Sequence, residues 1–154
     1  MKRILSNPFI ILASRIILGL IFIMAAAGKI SSPASFAQEV NNYAFLPYYT
    51  INIMAIFLPW IELIAGIFLI SGVRIKASSA IAGSLLIIFI IAVASAMIRG
   101  LNIDCGCYSH IINDPVGWRK IFENVGQLAL ALLIFIFPVI KFTFENLIQK
   151  NSLR

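Results

Sequence analysis

The sequence predicts an all-α membrane protein: a four-transmembrane-helix bundle with a short extracytoplasmic surface helix between spans 1 and 2. Hydrophobic residues make up 61% of the 154-residue chain against 12% charged, and the mean hydropathy is +1.00, outside the range of soluble globular domains. Four apolar stretches, residues 8–28, 51–71, 77–98 and 118–140, reach the roughly 20 residues that a helix needs to cross a ~30 Å hydrocarbon layer. Lys and Arg are also distributed unevenly among the connections. With no water in the layer to satisfy the backbone, runs of this length close their hydrogen bonds as helices. Barrel strands would be about half as long and would alternate polar with apolar residues. Residues 1–154 are therefore expected to form a single integral membrane domain.

The first span follows Lys2 and Arg3 and ends in Ala25-Ala26-Ala27, a pattern shared with cleavable signal peptides. Its length, and Arg15 near its middle, argue that it is retained. Ser32-Pro33 then reads as an N-cap followed by Pro at the first helical position. Phe36, Val40 and Tyr43 make one apolar stripe at i, i+4 and i+7, as expected of a helix lying on the outer surface. Pro47 ends that helix. Gly72-Val73-Arg74-Ile75-Lys76 has room only to turn two antiparallel spans. The connection from Arg99 to Gly117 is longer and carries both cysteines, the single histidine, Asp104 and Asp114. An amphipathic tail, residues 141–154, follows the fourth span.

Lys2, Arg3, Arg74, Lys76, Lys141, Lys150 and Arg154 fall on one side of these spans, and Lys29, Arg99, Arg119 and Lys120 on the other. Basic residues are held back on the cytoplasmic side. Both termini are accordingly expected in the cytoplasm, with the cysteine connection extracytoplasmic, in a bacterial inner membrane. This asymmetry accounts for the net charge of +6, so the sequence calls for no nucleic-acid partner.

Cys105-Gly106-Cys107 is the sharpest chemical feature. Two cysteines one residue apart can interconvert between dithiol and disulfide with little backbone motion, and Gly106 eases the closure. So short a ring departs from relaxed disulfide geometry, and strained, exposed disulfides are the more oxidising ones. Arg99 and His110 are placed to lower a thiol pKa, while the adjacent Asp104 opposes them. Two other readings stay open: a pair that ties down a loop, and a soft-metal site of Cys105, Cys107 and His110, although a closed zinc site normally takes four ligands.

Arg15 and Glu62 are ionisable groups inside spans, where such residues usually face the bundle interior with a partner. At 1.5 Å per residue, Arg15 lies about 10 Å in from Pro8 and Glu62 about 13 Å in from Ser71. These matched depths predict an Arg15–Glu62 pair, serving as a structural pin or as part of a proton route. Gly19 and Gly66, one turn away, would let the backbones approach. Glu123, Asn124 and Gln127 add polarity to the outer half of the fourth span, with Glu123 a candidate for proton transfer.

Several of these residues carry a family resemblance that covers most of the chain. Arg15-Ile16-Ile17-Leu18-Gly19-Leu20-Ile21-Phe22 followed by Gly28-Lys29-Ile30 resembles the opening of the DoxX-like membrane proteins. Pro59-Trp60-Ile61-Glu62-Leu63-Ile64-Ala65-Gly66 is similar to their Glu-centred second helix, and Asp104-Cys105-Gly106-Cys107 narrows the likeness to the MauE (methylamine utilisation) branch. Tyr108-Ser109 departs from the Phe-Gly usual there. The resemblance implies a four-helix membrane protein of extracytoplasmic thiol–disulfide exchange, acting with a thioredoxin-like partner in maturing disulfide-containing proteins.

Four-helix disulfide-generating proteins of the DsbB and vitamin K epoxide reductase kinds relay electrons between two cysteine pairs and a quinone. With two cysteines in all, this chain has no internal relay. Cys105 and Cys107 exchange directly with donor and acceptor, or a partner supplies the second pair. A quinone is a candidate cofactor, and no other is indicated. The competing class is a non-enzymatic assembly factor or a transporter of a small solute or soft metal, although no cysteine lies inside a span. The sequence does not determine the oligomeric state.

Overall fold

A computed structural model describes residues 8–43, 47–100 and 117–138. The elements are α1 (Pro8–Ser31), α2 (Pro33–Asn42), α3 (Tyr48–Ser71), α4 (Ile75–Ile98) and α5 (Trp118–Ile136), with no strand among the described residues. α1 packs mainly on α3 and α4 mainly on α5, while α3–α4 and α1–α5 contacts close the four into a ring; α2 lies against α3. The α1–α3 pair is antiparallel, since Arg15 reaches Leu69 and Lys29 reaches Glu62.

The described residues bury polarity and expose hydrocarbon. Arg15, Lys29, Glu62, Lys120 and Asn124 are buried, whereas Phe57, Trp60, Ile91 and Phe122 are each more than half exposed. Such a distribution suits a helix bundle whose outer solvent is lipid. α1, residues Thr50–Ser71 of α3, and α4 are each long and apolar enough to cross a bilayer, so the chain is a multi-pass membrane protein. α5 differs from the fourth expected span: it is helical over 19 residues, and Arg119, Lys120 and Glu123 charge its first two turns.

Leu18 and Phe22 of α1, Ala65 and Leu69 of α3, Leu86 of α4, and Ile134 of α5 belong to one buried core. Small residues bring α1 and α3 together. A Cβ on Gly66 would sit 2.8 Å from the Gly19 carbonyl oxygen and 3.2 Å from the Ile23 backbone nitrogen, so the two backbones touch here as small-residue membrane interfaces allow. The α3–α4 turn needs left-handed backbone at Gly72 (φ 74°) and Arg74 (φ 45°). Glycine adopts it freely, and the Gly72 N–H donates to the Phe68 carbonyl at 2.9 Å.

α2 has Pro33 at its start as expected, but Ser32 makes no side-chain capping bond. Phe36 is its buried residue.

Candidate functional site: a buried ion pair between α1 and α3

Arg15 and Glu62 are both buried, at 1% exposure each, but the expected pairing is corrected. Glu62 takes Lys29 instead, whose Nζ donates to both carboxylate oxygens at 2.6 and 2.8 Å. Arg15 donates from Nε to the Leu69 carbonyl at 3.0 Å and from Nη2 to the Ile70 carbonyl at 3.4 Å. Side-chain direction is the reason. In an α-helix the Cα–Cβ bond leans toward the helix N-terminus. On antiparallel α1 and α3 that lean carries Arg15 and Glu62 apart, whatever the match in Cα depth, and carries Lys29 and Glu62 toward each other. Arg15 thereby reaches the last turn of α3, where carbonyls lack intrahelical donors and a cation is favourable.

The Lys29–Glu62 pair is enclosed, with side-chain exposures of 3% and 2%. Lys29 Nζ also stands 5.1 Å from the centre of the Phe36 ring and 4.7 Å from that of Phe89. α2 and α4 thus each place an aromatic face on the ammonium. Beside the pair is a cavity of about 30 Å³ bordered by Phe22, Ala25, Leu86, Asn124 and Gln127, enough for about one water molecule. Asn124 is 6% exposed, and its Nδ2 has no hydrogen-bond partner among the described residues. Asn124 and Gln127, two of the three polar residues that the sequence puts early in α5, therefore border the ion pair's cavity.

Sequence reasoning placed Lys29 in the outer connection and missed it as a site residue. The signal was present. Ile11, Arg15, Leu18, Phe22, Ala26 and Lys29 are all buried, and their spacing of three and four marks a single helix face. Lys29 is the continuation of the stripe that holds Arg15.

Arg99 and Glu123 lie toward the end of the bundle where α1 and α4 finish and α3 and α5 begin. Arg99 Nη1 donates to the Tyr43 carbonyl at 2.8 Å, tying the end of α4 to the end of α2. Glu123 is held by Arg119 at 3.1 Å and by the buried Lys120 at 3.0 Å. Cys105, Cys107 and His110, with the alternative metal set they form, lie outside the described residues.

The family model described as methylamine utilisation protein MauE matches residues 7–137, which agrees with the MauE branch of the sequence resemblance. The chain is 33% identical over 135 residues to methylamine utilization protein MauE of Paracoccus denitrificans, covering 87% of this chain and 73% of that protein. It is 32% identical over 139 residues to the protein of the same name from Methylorubrum extorquens, covering 88% and 74%. No solved structure matches it.

Proposed function

Because this chain belongs to the MauE family, we propose that it is an inner-membrane component of extracytoplasmic thiol–disulfide exchange serving methylamine utilisation. Cys105 and Cys107 form the redox pair, and a thioredoxin-like protein is the partner. The observation that carries this is the placement of the two anchors of the cysteine segment. α4 ends at Ile98, with Arg99 tied to Tyr43, and α5 begins at Trp118. Both anchors stand at the end of the bundle where α1 finishes, two residues beyond Lys29.

In this reading a thiolate attacks the partner's disulfide, or a partner thiolate attacks the Cys105–Cys107 bond, and a mixed disulfide forms and is resolved by the second cysteine. Removing the resolving cysteine traps the partner. Cys105→Ser and Cys107→Ser are expected to differ, one of them giving a thiol-sensitive adduct with a co-expressed thioredoxin-like protein on non-reducing gels. If neither variant traps a partner and the double substitution leaves partner oxidation in cells unchanged, the cysteines are structural or metal-binding and the protein is an assembly or transport component.

The orientation belongs to the same proposal: four spans, with both termini cytoplasmic and the cysteine segment outside. Burial of Lys29 and Lys120 withdraws both from the outer connections and leaves Arg99 and Arg119 there, which sharpens the basic asymmetry. A membrane-impermeant maleimide is expected to label Cys105 and Cys107 from outside intact spheroplasts. Labelling only after permeabilisation would refute the orientation.

A further inference from the structure

Between α2, α3 and α4 lies a second cavity, of about 300 Å³, at the lower end of the ~300–1,000 Å³ found for small-molecule sites. Phe36 and Phe89 border it, and the same two rings stand over Lys29, so they separate it from the ion pair. Met54, Leu58 and Ala92 add apolar wall, and Glu39 brings a carboxyl group to the lining. Glu39 Oε2 is buried and has no hydrogen-bond partner among the described residues. A buried acceptor left unmatched is unfavourable, so the occupant that suits this site has an apolar body and a group able to hydrogen-bond with a carboxyl. Ile88 and Ile91 also border the cavity while being 50% and 59% exposed on the lipid face, which points to an occupant drawn from the bilayer.

We propose that this cavity binds the ring of a quinone-class lipid and that Glu39 exchanges a proton with a ring oxygen; the proposal rests on the thiol-exchange reading. Oxidising the Cys105–Cys107 dithiol forms one S–S bond and releases two electrons and two protons. The chain has two cysteines in all, so it holds no second pair to receive the electrons. A quinone receives both: its two ring carbonyls become hydroxyls as the two protons are taken up, and dithiol plus quinone gives disulfide plus quinol. A protonated Glu39 donates to the quinone oxygen, and its carboxylate accepts from the quinol hydroxyl. Phe36 and Phe89 offer flat faces for the ring. An acyl chain would fill the same volume and leave Glu39 unmatched.

The location also fits. Tyr43 and Ser95 line the cavity, and the Tyr43 carbonyl is the acceptor for Arg99. Cys105 is six residues beyond Arg99 in the sequence, a reach of up to roughly 20 Å for extended chain.

The test uses the full chain in phosphatidylcholine nanodiscs, with an azido-quinone as photolabel and decylubiquinone as competitor. Label is expected on α2 and α4 peptides, displaced by decylubiquinone and unchanged in the Cys105→Ser/Cys107→Ser variant. Ala92→Phe, which fills the cavity, is expected to reduce labelling at least tenfold. Leu58→Phe serves in its place if that variant loses its helical melting transition. Glu39→Gln is expected to slow quinol formation by the reduced protein at least tenfold. Labelling that survives both filled variants, or that is displaced equally well by a fatty acid, overturns the proposal. If label is absent while a single-cysteine variant still traps its partner, the quinone site fails and the thiol-exchange reading stands. If labelling is as expected and no partner is trapped, the cavity binds quinone and the exchange reading fails.

Discussion

Replacing Lys29 by Met removes the ammonium that both Glu62 oxygens accept from at 2.6 and 2.8 Å, and leaves a carboxylate that is 2% exposed. Asn124, whose Nδ2 has no hydrogen-bond partner among the described residues, and Gln127 border the same cavity as amide donors. Losing one partner of a buried pair costs about 3–5 kcal/mol, and Lys29→Met is expected in that range. Glu62→Gln is milder. Its amide oxygen still accepts from Nζ, and the Phe36 and Phe89 faces at 5.1 and 4.7 Å remain, each worth about 0.5–2 kcal/mol. The expected loss is about 1.5–3 kcal/mol, that of hydrogen bonding to a charged group. The double variant has no charge to strand and is expected to be more stable than Lys29→Met alone, with a coupling of about 1–3 kcal/mol. SDS titration of purified protein in mixed micelles, followed by circular dichroism, measures all four species. Losses that simply add, or a Glu62→Gln variant weaker than Lys29→Met, would refute the assignment of Lys29 as the carboxylate's partner.

Two further outcomes follow from the packing and are read by the same titration. Gly66→Ala places a methyl group 2.8 Å from the Gly19 oxygen, backbone against backbone, and is expected to cost about 1–3 kcal/mol. Gly126→Ala meets nothing within 4 Å inside α5 and is expected to stabilise by about 0.5–1 kcal/mol, so equal signs for the two would contradict the α1–α3 contact. Arg15→Met leaves the Leu69 and Ile70 carbonyls without their donor, at about 1–3 kcal/mol for a buried unmatched group. Its effect is expected to add to that of Glu62→Gln within about 0.5 kcal/mol, because Glu62 and Leu69 are roughly 10 Å apart along α3; strong coupling would restore the Arg15–Glu62 pair.

The membrane class, the helical composition and the identity of the buried charges Arg15 and Glu62 were legible in the sequence, because hydropathy and run length are properties of consecutive residues and the bilayer sets one length for all of them. Gly19 and Gly66 were readable as a close approach for a related reason: small residues in a membrane helix have few other uses. Which charge meets which was not readable. Rise per residue places Cα atoms at a depth, but partners are chosen by side-chain direction, and on antiparallel helices the lean of each Cβ toward its own N-terminus parts Arg15 from Glu62 and delivers Lys29 to it. Lys29 looked like a connection residue because helix ends are poorly marked where small residues continue the run; α1 continues to Ser31, and that extra turn is what buries it. The cavity between α2 and α4 depends on long-range packing alone, since Phe36, Glu39 and Phe89 come together only when the short helix docks across the bundle, and no local pattern encodes that contact.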